Sequence, residues 1–253
     1  MGLRRVIKNI VYKLKYNNFN SKIKTFSKKT VLVTGANSGI GLSLIKKLLH
    51  QKNYVLAIYN KNNDKLLEIE HQNLKIFSCN LSDLNEVEKI STFIKNISIN
   101  IIINCAGSFG GNKQNFDNID YENLFSVIKV NAVSCLKIAQ IIIKNSKEIK
   151  LETIINISSH LASINENLTG GNYIYRISKT LMNSLSKNLS VDLKNSYKIN
   201  VITIGPGSVR TKMNPSGLLT PELVADKIIN ILEDSTDKLN GKFIDLNKNI
   251  IQW

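Results

Sequence analysis

Cysteine and histidine are both scarce in this chain. Its three cysteines, Cys79, Cys105 and Cys135, form an odd, widely spaced set with no Cys-x-x-Cys pair, so neither a disulfide framework nor a zinc site is suggested. The three histidines, His50, His71 and His160, are scattered and lack the spacing of a metal-binding helix, and no metal is expected. Acid is also short, with 19 Asp and Glu against 34 Lys and Arg, for a formal charge of +15. The excess is uneven. Residues 1–29 hold nine basic residues and no acid, which leaves 25 − 19 = +6 on the remainder. Beyond that arm no basic stripe interleaves with aromatics, so no nucleic-acid partner is expected. No internal repeat or interdomain linker is visible, and 253 residues suit one α/β domain with a substantial core.

Within the arm, Leu3, Val6, Ile7, Ile10, Val11 and Leu14 recur at helical spacing, with Arg4, Arg5, Lys8, Lys13 and Lys15 on other faces. This predicts a basic amphipathic helix of about four turns, too interrupted to span a bilayer. A membrane-surface anchor, a packing arm and a targeting peptide compete as readings. The expectation placed first is a cytoplasmic protein with peripheral membrane contact through residues 3–16, the arm ending at residue 29 and the main domain covering 30–253.

From Thr30 the chain alternates between apolar runs and helical patterns. The runs are TVLVT (30–34), YVLAIY (54–59), LKIFSC (74–79), INIIIN (99–104), ETIINIS (152–158), KINVITIG (198–205) and KFIDL (242–246). Helices are predicted from Ile40 to about Gln51, as a polar stretch after the second run, and near 83–96, 118–145, 172–194 and 221–234. Continuous apolar strands are those of a parallel sheet covered on both faces. Seven of them with intervening helices predict a Rossmann-type, doubly wound α/β fold in a single domain.

Directly after the first strand stands TGANSGIG (34–41). Gly35, Gly39 and Gly41 permit a tight turn that brings backbone N–H groups at a helix start onto a pyrophosphate. A glycine triplet alone is weak, but its place between strand and helix is the required context. Further on, YIYRISK (173–179) places Tyr175 four residues before Lys179, a spacing that ordinary helices show by chance.

Taken in order, these motifs resemble the short-chain dehydrogenase/reductase family. The glycine loop matches its cofactor fingerprint, NCAG (104–107) its Asn-Asn-Ala-Gly motif with Cys105 replacing the second Asn, and KVNAVS its helix asparagine, Asn131. NISS (156–159) supplies the serine, Tyr175 and Lys179 the signature pair, and GPGSVRT (205–211) the segment beside the nicotinamide. Sniffer-like carbonyl reductases and C-factor proteins are the subgroup closest in appearance.

The resemblance implies hydride transfer between a nicotinamide and a small carbonyl or alcohol substrate by an enzyme that forms a homo-oligomer. Tyr175 would be the general acid, made more acidic by the Lys179 ammonium. Lys179 would also hold the nicotinamide ribose, Ser159 would bond the substrate oxygen, and Asn131 would hold a proton-passing water. Tyr173 is the rival phenol and Ser158 the rival hydroxyl. Cofactor contacts are expected from Gly35, Asn37, Ser38, Gly39, Ile40 and Gly41, and from Asn60, Lys61, Asn80 and Leu81. Asn104, Ala106 and Gly107 are expected to add to them, as are Pro206, Gly207, Val209 and Thr211. The end of the second strand has no acid for a ribose 2′-hydroxyl, and Lys61 could meet a 2′-phosphate, so NADP is preferred with NAD still open. The 16-residue step from Ser159 to Tyr175 predicts an enlarged loop beside the site. The competing class is a dinucleotide-binding signalling or scaffold protein that no longer turns over substrate.

Overall fold

The computed structural model describes residues 26–61, 64–234 and 236–253. The helix expected over residues 3–16, and with it the membrane contact, lies outside the described residues. Close packing begins before Thr30. Phe26 is already buried, its N–H donates to Glu233 Oε1 at 3.0 Å, and its carbonyl accepts from Asn53 Nδ2 at 2.8 Å.

Seven strands make one parallel sheet: β1 (Thr30–Thr34), β2 (Tyr54–Tyr59), β3 (Leu74–Ser78), β4 (Ile101–Asn104), β5 (Thr153–Ile157), β6 (Asn200–Gly205) and β7 (Phe243–Asp245). Their order is β3-β2-β1-β4-β5-β6-β7, and every neighbouring pair is parallel. Alternate residues face opposite sides. Val31 and Val33 join the core under α1 (Gly39–His50) and α8 (Pro221–Glu233), whereas Leu32 joins the core on the other side. That second core is roofed by α3 (Leu84–Glu88), α4 (Ile90–Phe93), α6 (Ser134–Asn145) and α7 (Tyr173–Tyr197). Each fully buried Leu or Ile contributes about 1.5–3 kcal/mol, so the central strands form a firm base for the loops at their carboxyl ends.

Four expectations need correction. β3 is an edge strand, half covered and partly exposed, not sealed on both faces. The stretch after β2 gives only α2 (Asp64–Leu67), and the helix near 83–96 is two short helices that meet at Lys89. The helix expected from 118 begins at Tyr121, because the Asp120 carboxylate accepts the Asn123 N–H and caps it. That helix is also interrupted. Between α5 (Tyr121–Ile128) and α6 the residues Lys129–Val133 form a π-helical turn, a feature that concentrates at functional positions. Tyr121–Asn145 is long and apolar enough to cross a membrane, yet half of its most apolar window is buried in this domain.

The chain crosses from one half of the sheet to the other between β1 and β4, and the loops leaving these strands separate there. In a doubly wound sheet that switch point opens the binding crevice.

Candidate active site

The glycine loop is built by a close crossing. Gly35 has φ +68°, and a Cβ there would stand 2.8 Å from Ala106 backbone atoms, so only glycine lets the loops after β1 and β4 touch. The Thr34 hydroxyl ties them further, accepting the N–H groups of Cys105 and Ala106, each at 3.1 Å. At Gly41 a Cβ would meet the Gly35 carbonyl oxygen at 2.2 Å, which locks the first turn of α1 against the loop. Ser38 stands at the N-cap without a side-chain capping bond, leaving the positive end of α1 directed at the crevice.

The crevice is a cleft of about 1040 Å³. All six expected residues from Gly35 to Gly41 line it, together with Asn60, Asn80 and Leu81 at one end. Ala106, Gly107, Pro206, Gly207, Val209 and Thr211 line its middle, and Ser159, Tyr175 and Lys179 its inner wall. Three expected residues are elsewhere. Asn104 is buried between strands, its amide donating to Asn156 Oδ1 at 2.7 Å. Asn131 is buried behind the wall. Its Oδ1 accepts the Ser108 N–H at 2.7 Å, and its Nδ2 donates to the Ser108 carbonyl and Ser178 Oγ, both at 2.9 Å. Lys61 is exposed and outside the lining; its carbonyl accepts from Asn37 Nδ2 at 2.7 Å.

Helix α7 separates the two tyrosines. Tyr175 faces the cleft and is 9% exposed, whereas Tyr173, two residues earlier, is 37% exposed and outside the lining. The serines divide as well. Ser158 Oγ donates inward to Asn183 Oδ1 at 2.6 Å, while Ser159 caps a short 3₁₀ turn, His160–Ala162, and lines the cleft near the Tyr175 phenol. Lys179 Nζ donates to the Ile157 carbonyl at 2.8 Å and lies 6.0 Å from the Tyr175 ring centre. It also reaches Gly107, standing 3.5 Å from where a Cβ would be, as does Asn131 Oδ1.

Burial dominates the protonation of this pair. It pushes the Tyr175 phenol up to about 12, with the Ser159 hydrogen bond pulling the other way. It also draws Lys179 down to about 8, opposed by the nearby thiols of Cys135 and Cys105. The expectation that Lys179 acidifies Tyr175 therefore fails in the free protein. The ammonium is 6.0 Å from the ring centre, and desolvation of the phenolate outweighs it. Cys105, in the place of an asparagine, also lines the cleft; burial raises its thiol to about 12, so it is an inert wall.

Several lining residues carry no signal in the motifs. Phe109 packs on Tyr175 with ring centres 5.1 Å apart, and Leu161 and Met213 extend that apolar wall. Lys212 is the second lysine of the lining, and its neighbour Thr211 packs against Gly39, its Cγ2 3.0 Å from where a Cβ would be. Arg176 pins the enlarged loop. Its guanidinium donates to the carbonyls of Leu161, Gly170 and Gly171 at 3.2, 3.3 and 3.1 Å, and to Thr169 Oγ1 at 2.9 Å. A glycine cradle, an uncovered helix start and two lysines with no carboxylate in the lining fit the phosphates of a dinucleotide.

Residues 29–219 match the family model described as short chain dehydrogenase. Among solved structures, the carbonyl reductase Sniffer of D. melanogaster superposes with a TM-score of 0.80 at 26% identity, covering 89% of this chain and 100% of that one. The NADPH-bound carbonyl reductase from chicken fatty liver gives 0.78 at 25%, covering 90% and 100%. C-signal of Myxococcus xanthus is 24% identical over 156 residues, 61% of this chain and 93% of that protein. With three quarters of its length matched to that model and the Ser159–Tyr175–Lys179 geometry in place, the chain belongs to the short-chain dehydrogenase family of oxidoreductases.

Proposed function

We propose that the protein reduces small uncharged carbonyl compounds with NADPH. The observation that carries this reading is the convergence of Ser159, Tyr175 and a buried Lys179 in one cleft, whose lining has lysines but no carboxylate. When bound, the nicotinamide supplies the hydride that goes to the substrate carbon. Tyr175, protonated throughout the neutral range, keeps a proton available for the carbonyl oxygen. Ser159 hydrogen-bonds the same oxygen, where negative charge develops. Lys179 holds ribose hydroxyls and contributes positive charge. Asn131 has spent both amide hydrogens on Ser108 and Ser178, so a proton-passing water would use the remaining lone pair of Oδ1, near Gly107.

The preference for NADPH rests on Tyr59 and Asn60 at the end of β2, where an acid would repel a 2′-phosphate, and on the cofactor of the chicken relative. Phe109, Leu161 and Met213 favour an apolar carbonyl substrate. Four large side chains left exposed on adjoining helices, Tyr121 and Phe125 on α5 with Tyr173 and Ile177 on α7, suit a homo-oligomer, which light scattering would test. Residues 3–16 are proposed to touch anionic membrane surfaces; salt-reversible pelleting with anionic vesicles tests that separately.

The functional test is NADPH oxidation by the purified protein across a panel of aldehydes and ketones, alongside NADPH and NADH affinities from nucleotide fluorescence. Turnover with NADPH bound more tightly than NADH is expected. Tight binding with no turnover of any compound would move the protein to the non-catalytic class.

A further inference from the structure

Helix α7 starts without a local cap. Its N-cap residue, Asn172, has a left-handed backbone (φ 51°) and makes no side-chain capping bond, so the first turn must find partners for its N–H groups elsewhere. Gln114 supplies them from 61 residues away. Its backbone carbonyl accepts the Tyr173 N–H at 2.9 Å, and its side-chain Oε1 accepts the Tyr175 N–H at 3.2 Å. The other end of the same amide, Nε2, donates to the carbonyls of Phe109 at 3.2 Å and Gly111 at 2.6 Å. Gln114 is buried, and every bond its amide makes goes either to Tyr175 or to the loop that covers it.

That loop is the one whose Phe109 ring lies on the Tyr175 ring. It has no regular structure of its own, and Gly110 and Gly111 take left-handed backbones (φ +93° and +72°). A Cβ at Gly110 would come within 2.7 Å of Ile174 on α7, so the loop can approach the helix this closely only through glycine. Asn123 Nδ2 holds the Gly110 carbonyl at 2.7 Å, and Asn131 holds Ser108. Gln114 alone, among these ties, joins the loop to the backbone of Tyr175 itself.

We infer that Gln114 is a positioning residue for the reductase, fixing the height of Tyr175 and the seat of Phe109 over it through a single amide. The task needs one acceptor and two donor bonds at the end of a buried reach. Among uncharged side chains only Gln and Asn offer that set, and Asn is one methylene shorter.

The kinetic arm of the test rests on the proposed reductase activity; the exchange arm does not. Gln114→Met keeps the volume and drops every side-chain bond, whereas Gln114→Glu keeps an acceptor for Tyr175 and loses both donors. With the ketone or aldehyde from the panel that the native enzyme turns over fastest, Gln114→Met should lower kcat by about 10- to 100-fold, as expected for a displaced acid. KM should change less than kcat, and NADPH affinity by no more than about twofold. Gln114→Glu should fall between Met and native. Phe109→Ala should lower kcat too, and Phe109→Ala with Gln114→Met should be no worse than the stronger single change, because both act through one contact. In hydrogen exchange, the Tyr175 amide of Gln114→Met should exchange at least about tenfold faster while residues 182–193 keep native protection. Native kcat in Gln114→Met, or losses that multiply in the double variant, would overturn the inference. If Gln114→Met does not fold, Gln114→Glu and Phe109→Ala replace it, and native kcat in Gln114→Glu or multiplying losses in that pair overturn the inference equally. If the native enzyme reduces nothing, the reductase reading fails, and unchanged Tyr175 exchange remains the result that sinks Gln114.

Discussion

Replacing Lys179 with methionine should make the cofactor-free protein more stable. Lys179 is 3% exposed, and burial brings its pKa from 10.5 to about 8. That is roughly 2.5 decades of proton affinity, or about 3 kcal/mol at about 1.4 kcal/mol per decade. At pH 7 the ammonium is charged in both states, so the whole penalty falls on the folded protein. Methionine would suit the surroundings, since Nζ already lies 3.9 Å from Met182 Sδ, with the Cys105 and Cys135 thiols nearby. Against this, the Ile157 carbonyl loses its donor, at a cost of about 1 kcal/mol where cleft water can replace it. A net gain of about 2 kcal/mol at pH 7 follows, measured by urea unfolding without nucleotide.

The pH dependence checks the cause. Between pH 8 and pH 10.5 the unfolded chain holds a proton on Lys179 that the folded chain has released, so native stability rises with pH through this group. The advantage of Lys179→Met should therefore shrink by about 1 kcal/mol from pH 8 to pH 9. The three thiols act oppositely above pH 9, because burial raises them to about 11 or 12; up to pH 9 they stay protonated in both folded proteins, so the difference cancels their effect there. A variant no more stable than native at pH 7, or an advantage constant from pH 7 to pH 9, would refute the reasoning.

Tyr175→Phe should cut carbonyl reduction by about 10²- to 10⁴-fold and leave NADPH affinity within about threefold, since Tyr175 lines the cleft with Ser159 and Lys179 while the glycine loop supplies the phosphate cradle. Lys212→Ala should weaken NADPH and NADH about equally, by roughly fivefold in fluorescence titrations at low salt, because the diphosphate is common to both. Lys61→Ala should change neither, its side chain being outside the lining. Arg176→Met removes bonds to four oxygens of the enlarged loop and should cost about 3 kcal/mol in urea unfolding. Lys should replace Arg176 poorly, because an ammonium cannot span acceptors spread round a planar fork. NADPH affinity should decline above about pH 8 as Lys179 loses its charge, and Lys179→Arg should bind independently of pH up to pH 10.

How much of the fold and site is legible in the sequence depends on where each residue's partners lie in the chain. The strands read correctly as apolar runs because β1, β2 and β4 to β6 are covered on both faces; β3 misleads because an edge strand can carry an exposed Lys75 between Leu74 and Ile76. The π-helical turn at Lys129–Val133 cannot be read, since its apolar spacing continues that of the helices on either side. Tyr175, Lys179, Ser159 and the glycine loop stand out because their spacing is local. Lys61 is less legible for the complementary reason. Counting residues from the end of β2 says that a lysine is near, but not which way the turn sends it. Gln114 and Arg176 read as ordinary polar residues, because a long-range hydrogen bond leaves no periodic trace.

The arrangement of the pair itself explains why both members are buried. In water lysine holds its proton slightly more tightly than tyrosine, at 10.5 against 10.0; in this fold the order inverts, to about 8 and about 12. Desolvation alone produces the inversion, because it penalises an ammonium and a phenolate alike and so moves the two groups in opposite directions. A phenol near 12 is a proton store that neutral solution cannot empty, and it gives the proton up only to an oxygen already gaining negative charge. A lysine near 8 stays mostly charged at neutral pH and loses its charge only as the pH rises past about 8. Binding an anionic nucleotide would therefore keep Lys179 charged over a wider pH range. That ammonium, like the Ser159 hydroxyl, favours a phenolate on Tyr175. Any acidification of Tyr175 by Lys179 in a nucleotide-bound cleft would have to come from a shorter distance than the 6.0 Å of the free protein, since the lysine is already mostly charged at neutral pH.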